Sequence, residues 1–188
     1  MRIVAGTFRG RPLVAPKGHS VRPTADQTRQ AIFNVLEHAA WAPALEDARV
    51  MDLFAGAGGL GLEAISRGAS FCRFLEQDET ALGAIRANVE HLGVEDRVSI
   101  ERRDATRLTA RPAGGAPAFE FAFLDPPYGK GLAEKALGAL ASGGWLAEGA
   151  VAVVERGWRD AAEAPEGYEA LDDREWGAAR VSFLRRLG

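Results

Sequence analysis

The sequence predicts an α/β fold, in which a mainly parallel β-sheet is covered by helices on both faces. Three observations support this prediction. From Arg49 onward, short apolar runs alternate with segments of helical periodicity, which is the order of successive βαβ units. The apolar runs are nearly continuous, as expected for strands buried on both faces. The 188 residues are 47% hydrophobic and 26% charged, a composition that suits one globular domain with a substantial core.

The elements are predicted in chain order. Strand-like runs at 2–6 and 11–15 indicate a small N-terminal hairpin, and Thr24 and Gln27 have the capping-box spacing that begins a helix at about 25–41. We then expect a seven-stranded sheet with strands at 49–54, 71–75, 98–101, 119–124, 150–155, 168–175 and 179–186, and helices at 59–67, 79–92 and 132–141. The expected organisation is a basic N-terminal β-hairpin arm (1–20) and a main domain (21–188).

Composition excludes several classes of protein. No apolar run approaches the roughly 18 residues that span a bilayer, and the first residues lack the apolar core of a signal peptide. We therefore expect a cytoplasmic protein that makes no membrane contact. A lone cysteine, Cys72, excludes an internal disulfide and a cysteine-cluster zinc site. The three histidines are not spaced as metal ligands, so no metal site is predicted.

Charge is distributed unevenly along the chain. Residues 1–30 carry a net charge of +5, whereas the remainder carries −8. A basic arm on an acidic body suits docking to a polyanion, because each phosphate contact releases counterions. The predicted hairpin would present Arg2, Arg9 and Arg11 on one exposed face. The alternative is that surface arginines merely cluster here.

A glycine-rich loop joins the first predicted strand of the main domain to the helix that follows. Gly56, Gly58 and Gly61 have the GxGxxG spacing, which lets the backbone approach a ligand at a helix N-terminus. Glu76, twenty residues after Gly56, is placed to accept hydrogen bonds from ribose hydroxyls. Both NAD and S-adenosylmethionine carry such hydroxyls, so these residues leave the cofactor open, and a purely structural turn is the third possibility.

The segment Asp125-Pro126-Pro127-Tyr128 follows an apolar strand and distinguishes between these possibilities. The two prolines remove backbone donors, so the Asp125 carboxylate and the Pro126 carbonyl offer two acceptors suited to an exocyclic NH2 group. Tyr128 can stack on the attached base. The alternative is a proline turn that merely ends a strand. Asp104 either accepts an adenine amino group or makes a surface ion pair with a neighbouring arginine.

These motifs resemble a known family. The segment Asp52 to Gly61 resembles motif I of class I S-adenosylmethionine-dependent methyltransferases, and Asp125 to Tyr128 resembles motif IV of their amino-group branch. The segment from Arg22 to Asn34 resembles the RPT-x-D-x-x-R-x-A-[LI]-F-N signature of the RsmD family, which methylates guanine N2 at position 966 of 16S rRNA. Arg9 to Leu13 and Arg180 to Arg186 are also similar to that family, so the resemblance spans nearly the whole chain.

The resemblance implies a Rossmann-like class I methyltransferase fold, S-adenosylmethionine as cofactor, and 16S rRNA or a small-subunit assembly particle as partner of a monomeric enzyme. Implied catalytic residues are Asp125, Pro126, Pro127 and Tyr128. Implied cofactor-binding residues are Asp52, Phe54, Ala55, Gly56, Gly58, Gly61, Glu76, Gln77, Asp104 and Ala105. Implied RNA-binding residues are Arg22, Thr24 and Arg29, in addition to Arg2, Arg9 and Arg11 of the arm. Gln27-Thr28 and Asp172-Asp173 depart from the family pattern, which affects the expected RNA contacts.

Three alternatives remain at this point. A DNA or RNA adenine-N6 methyltransferase shares the Pro-Pro-Tyr chemistry, although the chain is short for a domain that reads a DNA sequence. An NAD-dependent oxidoreductase shares the glycine loop but leaves Asp125 to Tyr128 unexplained. A non-catalytic RNA-binding assembly factor would keep the pocket without methyl transfer.

Overall fold

The computed structural model describes residues 1–16, 23–157 and 163–188. Within these ranges the helices are α1 (Pro23–His38), α2 (Gly59–Ser66), α3 (Glu79–Leu92) and α4 (Leu132–Ser142), with short 3₁₀ turns at Glu95–Arg97 and Ala105–Arg107. The strands are β1 (Arg49–Leu53), β2 (Phe71–Glu76), β3 (Val98–Arg102), β4 (Phe119–Leu124), β5 (Leu146–Gly157), β6 (Tyr168–Trp176) and β7 (Ala179–Arg186). No helix in these ranges is both long and apolar enough to cross a membrane.

The strands form one sheet in the order β3-β2-β1-β4-β5-β7-β6. The first five strands are parallel, and β7 runs antiparallel to β5 and β6. The strand order reverses beside β1, because β2 lies on one side of it and β4 on the other. In such sheets, ligands bind in the crevice at the carboxyl ends of the strands on either side of the reversal. The predicted fold is therefore confirmed, and its topology places a site above β1 and β4.

Hydrophobic cores lie on both faces of the sheet. One contains Phe33 of α1, Leu62 of α2 and Ile85 of α3, and the other contains Leu137 of α4 together with Trp145. The helices thus cover opposite faces, as the continuous apolar strands predicted.

Helix boundaries follow their capping residues. Helix α3 has the predicted bounds because both ends are capped: the Asp78 carboxylate accepts the N–H of Ala81, and Gly93 ends the helix with φ 67°. Helix α1 ends at His38, three residues earlier than predicted. After the helix ends, Trp41 packs on Phe183 of β7 with ring centroids 5.5 Å apart. This contact directs the chain towards the sheet.

In the N-terminal arm, residues 1–16, the two predicted segments pair antiparallel, but as a short irregular hairpin instead of two regular strands. The β-bridge in this part of the described chain joins Arg2 and Pro12, and the N–H groups of Ile3 and Leu13 donate to the carbonyls of Arg11 and Met1, both at 2.9 Å. The N–H groups of Val4 and Ala5 donate to the Glu63 carboxylate of α2, which ties the arm to the main domain. Ile3 and Leu13 are buried in the core, which seats the arm on the main domain.

Strand β5 is also longer than predicted. It begins at Leu146 instead of 150, because Leu146 pairs with Phe119 of β4 before the register shifts at a bulge. Its carboxyl end extends to Gly157, which places Glu155 within the strand.

Candidate active site

The loop that follows β1 has a backbone conformation that exposes its main chain. Phe54, Gly56 and Gly58 have positive φ angles of 61°, 56° and 80°. Phe54 is the notable member, because a side-chain-bearing residue adopts this conformation at a cost of order 1 kcal/mol and mostly at functional sites. A Cβ atom on Gly56 would meet no protein atom within 4 Å, so the loop has open space on the side where a ligand can approach.

Asp52, in the strand β1 that precedes this loop, holds the loop in position. Its side chain is buried, and Oδ2 accepts the N–H of Gly61 at 2.8 Å. Burial raises the pKa of Asp52 well above its usual value, the Gly61 hydrogen bond opposes that rise, and the nearby Asp125 and Glu76 carboxylates add to it. Asp52 was predicted to contact the cofactor. In the structure its carboxylate instead accepts a hydrogen bond from the first turn of α2 and thereby holds the glycine loop in place.

Gly61 allows α2 to pack closely on the sheet. A Cβ atom there would lie 2.4 Å from Cε1 of Phe74 and 2.5 Å from Sγ of Cys72, both inside van der Waals contact. Its N–H also donates to Asp52. The third glycine of the motif is therefore required for helix–strand packing, in agreement with its usual role in such loops.

Glu76, at the end of β2, is held by three backbone N–H groups. Its Oε2 accepts the N–H of Gly56 at 2.9 Å, and its Oε1 accepts those of Gln77 and Asp78 at 2.7 and 2.9 Å. These bonds tie the glycine loop to the β2–α3 connection. Oε2 accepts one donor among the described residues, so it retains the capacity to accept a further hydrogen bond.

Asp104 and Ala105 stand at the end of β3. Asp104 accepts the N–H and the hydroxyl of Thr106 at 2.9 and 2.7 Å, and these bonds hold its pKa below the usual value, so it is ionised at neutral pH. Arg107 lies 3.7 Å away, so the ion-pair interpretation and the adenine-acceptor interpretation are both compatible with this position. Ala105, the residue after Asp104, is buried. Gln77, the residue after Glu76, is exposed.

Asp125 to Tyr128 follow β4 directly. Pro126 is buried, whereas Asp125, Pro127 and Tyr128 are exposed in the cleft. The protein atoms packed around the Asp125 carboxyl, and then the charge of Glu155, raise its pKa to about 7. The Tyr128 hydroxyl donates to Glu155 Oε1 at 2.7 Å, which holds the ring at the edge of the cleft.

Glu155 is a candidate site residue that the sequence analysis missed. Leu124 pairs with Val154 in the parallel register of β4 and β5, so Asp125 and Glu155 follow paired residues on neighbouring strands. The sequence contains a signal for it, because Glu155 follows the apolar run 150–154 as Asp125 follows the apolar run 121–124.

The predicted RNA-binding arginines divide into two groups. Arg2, Arg9 and Arg11 are exposed on the arm. Arg29 is buried instead: its guanidinium bonds to Asp26 (2.8 Å), Glu63 (3.3 Å) and the carbonyl of Arg2, so it holds the arm to α1 and α2. We therefore correct its expected role from an RNA contact to a structural one. Arg22 and the side chain of Thr24 lie outside the residues that the structure describes.

Asn88 of α3 connects the arm to the glycine loop. It is fully buried; its Oδ1 accepts the N–H of Val14 at 2.7 Å, and its Nδ2 donates to the carbonyls of Val14 and Ala57, both at 3.0 Å. Ala57 lies between two glycines of the motif, so one side chain positions both the arm and the loop.

Together these strand ends fit S-adenosylmethionine. The open backbone beside Gly56 suits close approach, the oriented Glu76 carboxylate suits ribose hydroxyls, and Asp104 offers an acceptor for an adenine amino group. Asp125 lies next to this loop, because Leu53 of β1 pairs with Leu124 of β4.

Comparisons with known proteins agree with this arrangement. The family model described as Conserved hypothetical protein 95 matches residues 1–185. Ribosomal RNA small subunit methyltransferase D of Haemophilus influenzae is 32% identical over 178 residues, which cover 94% of this chain and 89% of that protein. The Escherichia coli K12 protein of the same name is 36% identical over 155 residues, covering 82% and 74%. The solved structure of yhhF from Escherichia coli has a TM-score of 0.83 at 29% identity and covers 100% of this chain and 98% of that one.

The match over nearly the whole chain, the seven-stranded topology and the two motifs at neighbouring strand ends confirm the resemblance noted in the sequence. The chain belongs to the RsmD family of S-adenosylmethionine-dependent methyltransferases.

Proposed function

We propose that this protein methylates the exocyclic N2 amine of a guanine in 16S rRNA, at the position 966 that the family resemblance indicates, within the small subunit or its assembly particle. Membership of the family makes it an rRNA methyltransferase and removes the NAD-dependent oxidoreductase from consideration. One observation supports the amine as acceptor: the Asp125-Pro126 acceptor pair and the glycine loop follow paired residues of β4 and β1.

An aromatic amine is a poor nucleophile, because its lone pair is delocalised into the ring. The Asp125 carboxylate and the Pro126 carbonyl would accept its two N–H bonds and favour the geometry in which the nitrogen becomes tetrahedral. S-adenosylmethionine, when bound, supplies a methyl group made electrophilic by a sulfonium. Ionised Asp125 stabilises the positive charge that develops on nitrogen, a preorganised electrostatic effect, and accepts the proton that the amine loses. Tyr128 stacks on the base and holds it.

Cofactor binding is assigned to the loop from Phe54 to Gly58, with Glu76 at the ribose and Asp104 and Ala105 at the adenine. Asp52 and Gly61 support the loop from within the core. Phosphate contacts are assigned to the exposed arm residues Arg2, Arg9 and Arg11. A base must be unstacked, or already single-stranded, to enter the site, so these contacts supply affinity that does not depend on the base itself.

The proposal is tested with small-subunit particles that lack the modification, incubated with the enzyme and methyl-labelled cofactor, followed by mapping of the labelled nucleotide and atom. We expect label on guanine N2 in 16S rRNA. For Asp125→Ala we expect turnover to fall by about 10²-fold or more, because one preorganised polar partner is lost. Its affinity for S-adenosylmethionine should change by less than about twofold, since Asp125 serves the acceptor amine.

Asp96→Ala is the matched control, because Asp96 is an exposed aspartate in the turn before β3. We expect it to retain wild-type turnover. Unchanged turnover in Asp125→Ala would remove Asp125 from the mechanism. Label on adenine N6 would favour the adenine-specific alternative, and RNA binding with no label at all would favour the non-catalytic assembly factor.

A further inference from the structure

A cavity next to the Pro-Pro-Tyr segment has features that the mechanism above does not use. It has a volume of about 480 Å³ and is lined by Pro126, Pro127 and Tyr128, by Glu155 and Arg156 of β5, and by residues 131–134 and 163–165. This size falls within the usual range for small-ligand sites. Of the lining carboxylates, Glu134 is paired with Arg156 at 2.8 Å, whereas Glu155 and Glu163 give the cavity acceptors that suit a donor-rich group.

Of the three described carboxylates that line the cavity, Glu155 is the one that lies beside Asp125 on the neighbouring strand. It follows Val154, whose register partner Leu124 precedes Asp125, and neighbouring strands lie only about 4.8 Å apart. The charge of Glu155 contributes to the raised pKa of Asp125, as expected for two acidic groups that are close together. Glu155 Oε1 accepts the Tyr128 hydroxyl at 2.7 Å, and among the described residues Oε2 accepts no hydrogen bond, so it is available to a ligand.

Two adjacent carboxylates match the edge of one nucleobase. Guanine carries its N2 amine next to N1–H, so it presents neighbouring donors. In adenine and cytosine the ring nitrogen beside the amine is an acceptor, which a second carboxylate would repel. We propose that Glu155 accepts the N1–H of the target base while Asp125 and Pro126 hold its amine, and that Glu155 thereby selects guanine. This inference rests on the proposed function and adds a residue that determines its specificity.

Base substitution at the target nucleotide tests the inference. Small-subunit particles are reconstituted with rRNA that carries either guanine or 2-aminopurine at the mapped position. 2-Aminopurine keeps the N2 amine but has an acceptor at N1 and lacks O6, so the change in preference on replacing Glu155 is what assigns the contact to N1. We expect the wild-type enzyme to prefer guanine by about 10- to 100-fold in kcat/KM, which is typical of a discriminating hydrogen-bond pair. Equal labelling of the two bases by the wild-type enzyme would overturn the inference and leave the proposed function intact.

Glu155→Gln should reduce that preference to less than about threefold, because the amide can donate to the N1 acceptor of 2-aminopurine as well as accept from guanine. Its pH profile should also move to lower pH, because the charge that raises the pKa of Asp125 is gone. The change in preference is the result specific to the proposed role, because the pH shift follows from the loss of charge alone. An unchanged preference would overturn the inference, and labelling of neither base by the wild-type enzyme would overturn the proposed function itself.

Two further variants keep the test decisive. Glu163→Gln removes an exposed carboxylate of the same cavity and should keep the wild-type preference for guanine; loss of the preference there would transfer the role to Glu163 and refute Glu155. Glu155→Asp retains a charged acceptor, so it should lower turnover on both bases and still prefer guanine. If Glu155→Gln does not fold, Glu155→Ser, which also removes the charged acceptor, takes its place, and an unchanged preference in that variant overturns the inference.

Discussion

Replacing Glu63 by glutamine tests how the basic arm is attached to the domain. Glu63 is fully buried, and each of its oxygens accepts two hydrogen bonds. Oε2 takes the N–H of Val4 (2.8 Å) and Nε of Arg29 (3.3 Å), whereas Oε1 takes the N–H of Ala5 (3.0 Å) and Nε of Arg67 (2.8 Å). Whichever oxygen becomes the amide NH2, two of these donors face another donor. Two guanidinium groups also lose their shared counter-charge.

The expected loss of stability follows from these contacts. Removing one partner of a buried ion pair costs about 3–5 kcal/mol. Arg29 keeps Asp26 at 2.8 Å and Arg67 keeps Glu37 at 2.8 Å, which places the variant at the lower end of that range. We therefore expect a decrease of about 3 kcal/mol in the free energy of unfolding, and a decrease of about 6–12 °C in Tm for a domain of this size.

Denaturant unfolding at neutral pH measures this loss, and the chain offers a matched control. Glu37 pairs with the same arginine, Arg67, at the same distance of 2.8 Å, but its side chain is 36% exposed. Glu37→Gln should therefore cost less than about 1 kcal/mol. If Glu63→Gln costs no more than Glu37→Gln, the arm is not held by this network and the reasoning fails.

Three other predictions concern the stability of the glycine loop and the proposed role of the Asp125 carboxylate. Gly61→Ala should lose about 1–3 kcal/mol of stability by overpacking against Phe74 and Cys72, whereas Gly83→Ala, exposed in α3 with no atom near its Cβ position, should gain up to about 1 kcal/mol; denaturant unfolding of both checks this. Asn88→Ala should lower the free energy of unfolding by about 2 kcal/mol, because the backbone groups of Val14 and Ala57 lose their hydrogen bonds to the Asn88 amide. In the same assay, replacement of the exposed Asn34 by alanine should change it by less than about 0.5 kcal/mol. Because the protein atoms packed around its carboxyl and the charge of Glu155 raise the pKa of Asp125 to about 7, and only the carboxylate stabilises positive charge, kcat/KM should fall about tenfold per pH unit below 7, and a flat profile between pH 5.5 and 7 would refute that role.

The raised pKa of Asp125 also makes the stability of the fold depend on pH. A carboxyl whose pKa is raised on folding binds its proton more tightly in the native state, so its ionisation destabilises the fold as pH rises from its usual value of 3.8 towards 7. The charge of Glu155 on β5 raises the pKa of Asp125, and the charge of Asp125 contributes in turn to the raised pKa of Asp52 on β1. Catalysis and stability are therefore expected to change in opposite directions over this interval.

The elements that the sequence predicted well are those whose signals are local. Helix α3 was predicted with its observed bounds because Gly93 and the apolar stripe are visible in the sequence, and β4 because its apolar run has sharp ends. The motifs were placed correctly at strand ends because parallel strands share one carboxyl edge. These inferences require only the neighbours of each residue along the chain.

What the sequence did not reveal depends on contacts between distant segments. The arm is held to α2 by Glu63, which is 59 residues from Val4 in sequence. The same carboxylate withdraws Arg29 from solvent, and no local pattern distinguishes Arg29 from the exposed arginines of the arm. Glu155 was missed because its importance comes from the register of β4 and β5, which places it beside Asp125.

The arrangement of charge explains why the arm and the pocket can serve one reaction. The arm presents exposed arginines, whereas the cavity beside Asp125 contains Glu155 and Glu163 in addition to the Glu134–Arg156 pair, so in the proposed function a polyanion is attracted more strongly to the arm than to the cavity. Glu63 and Asn88 fix the arm to α2, α3 and the glycine loop through hydrogen bonds, so the arm has a defined position relative to that loop. Backbone contacts can then orient the RNA while only a base, which carries no phosphate charge, enters the acidic cavity. If the arm were loosely attached, the same arginines would give affinity without orientation.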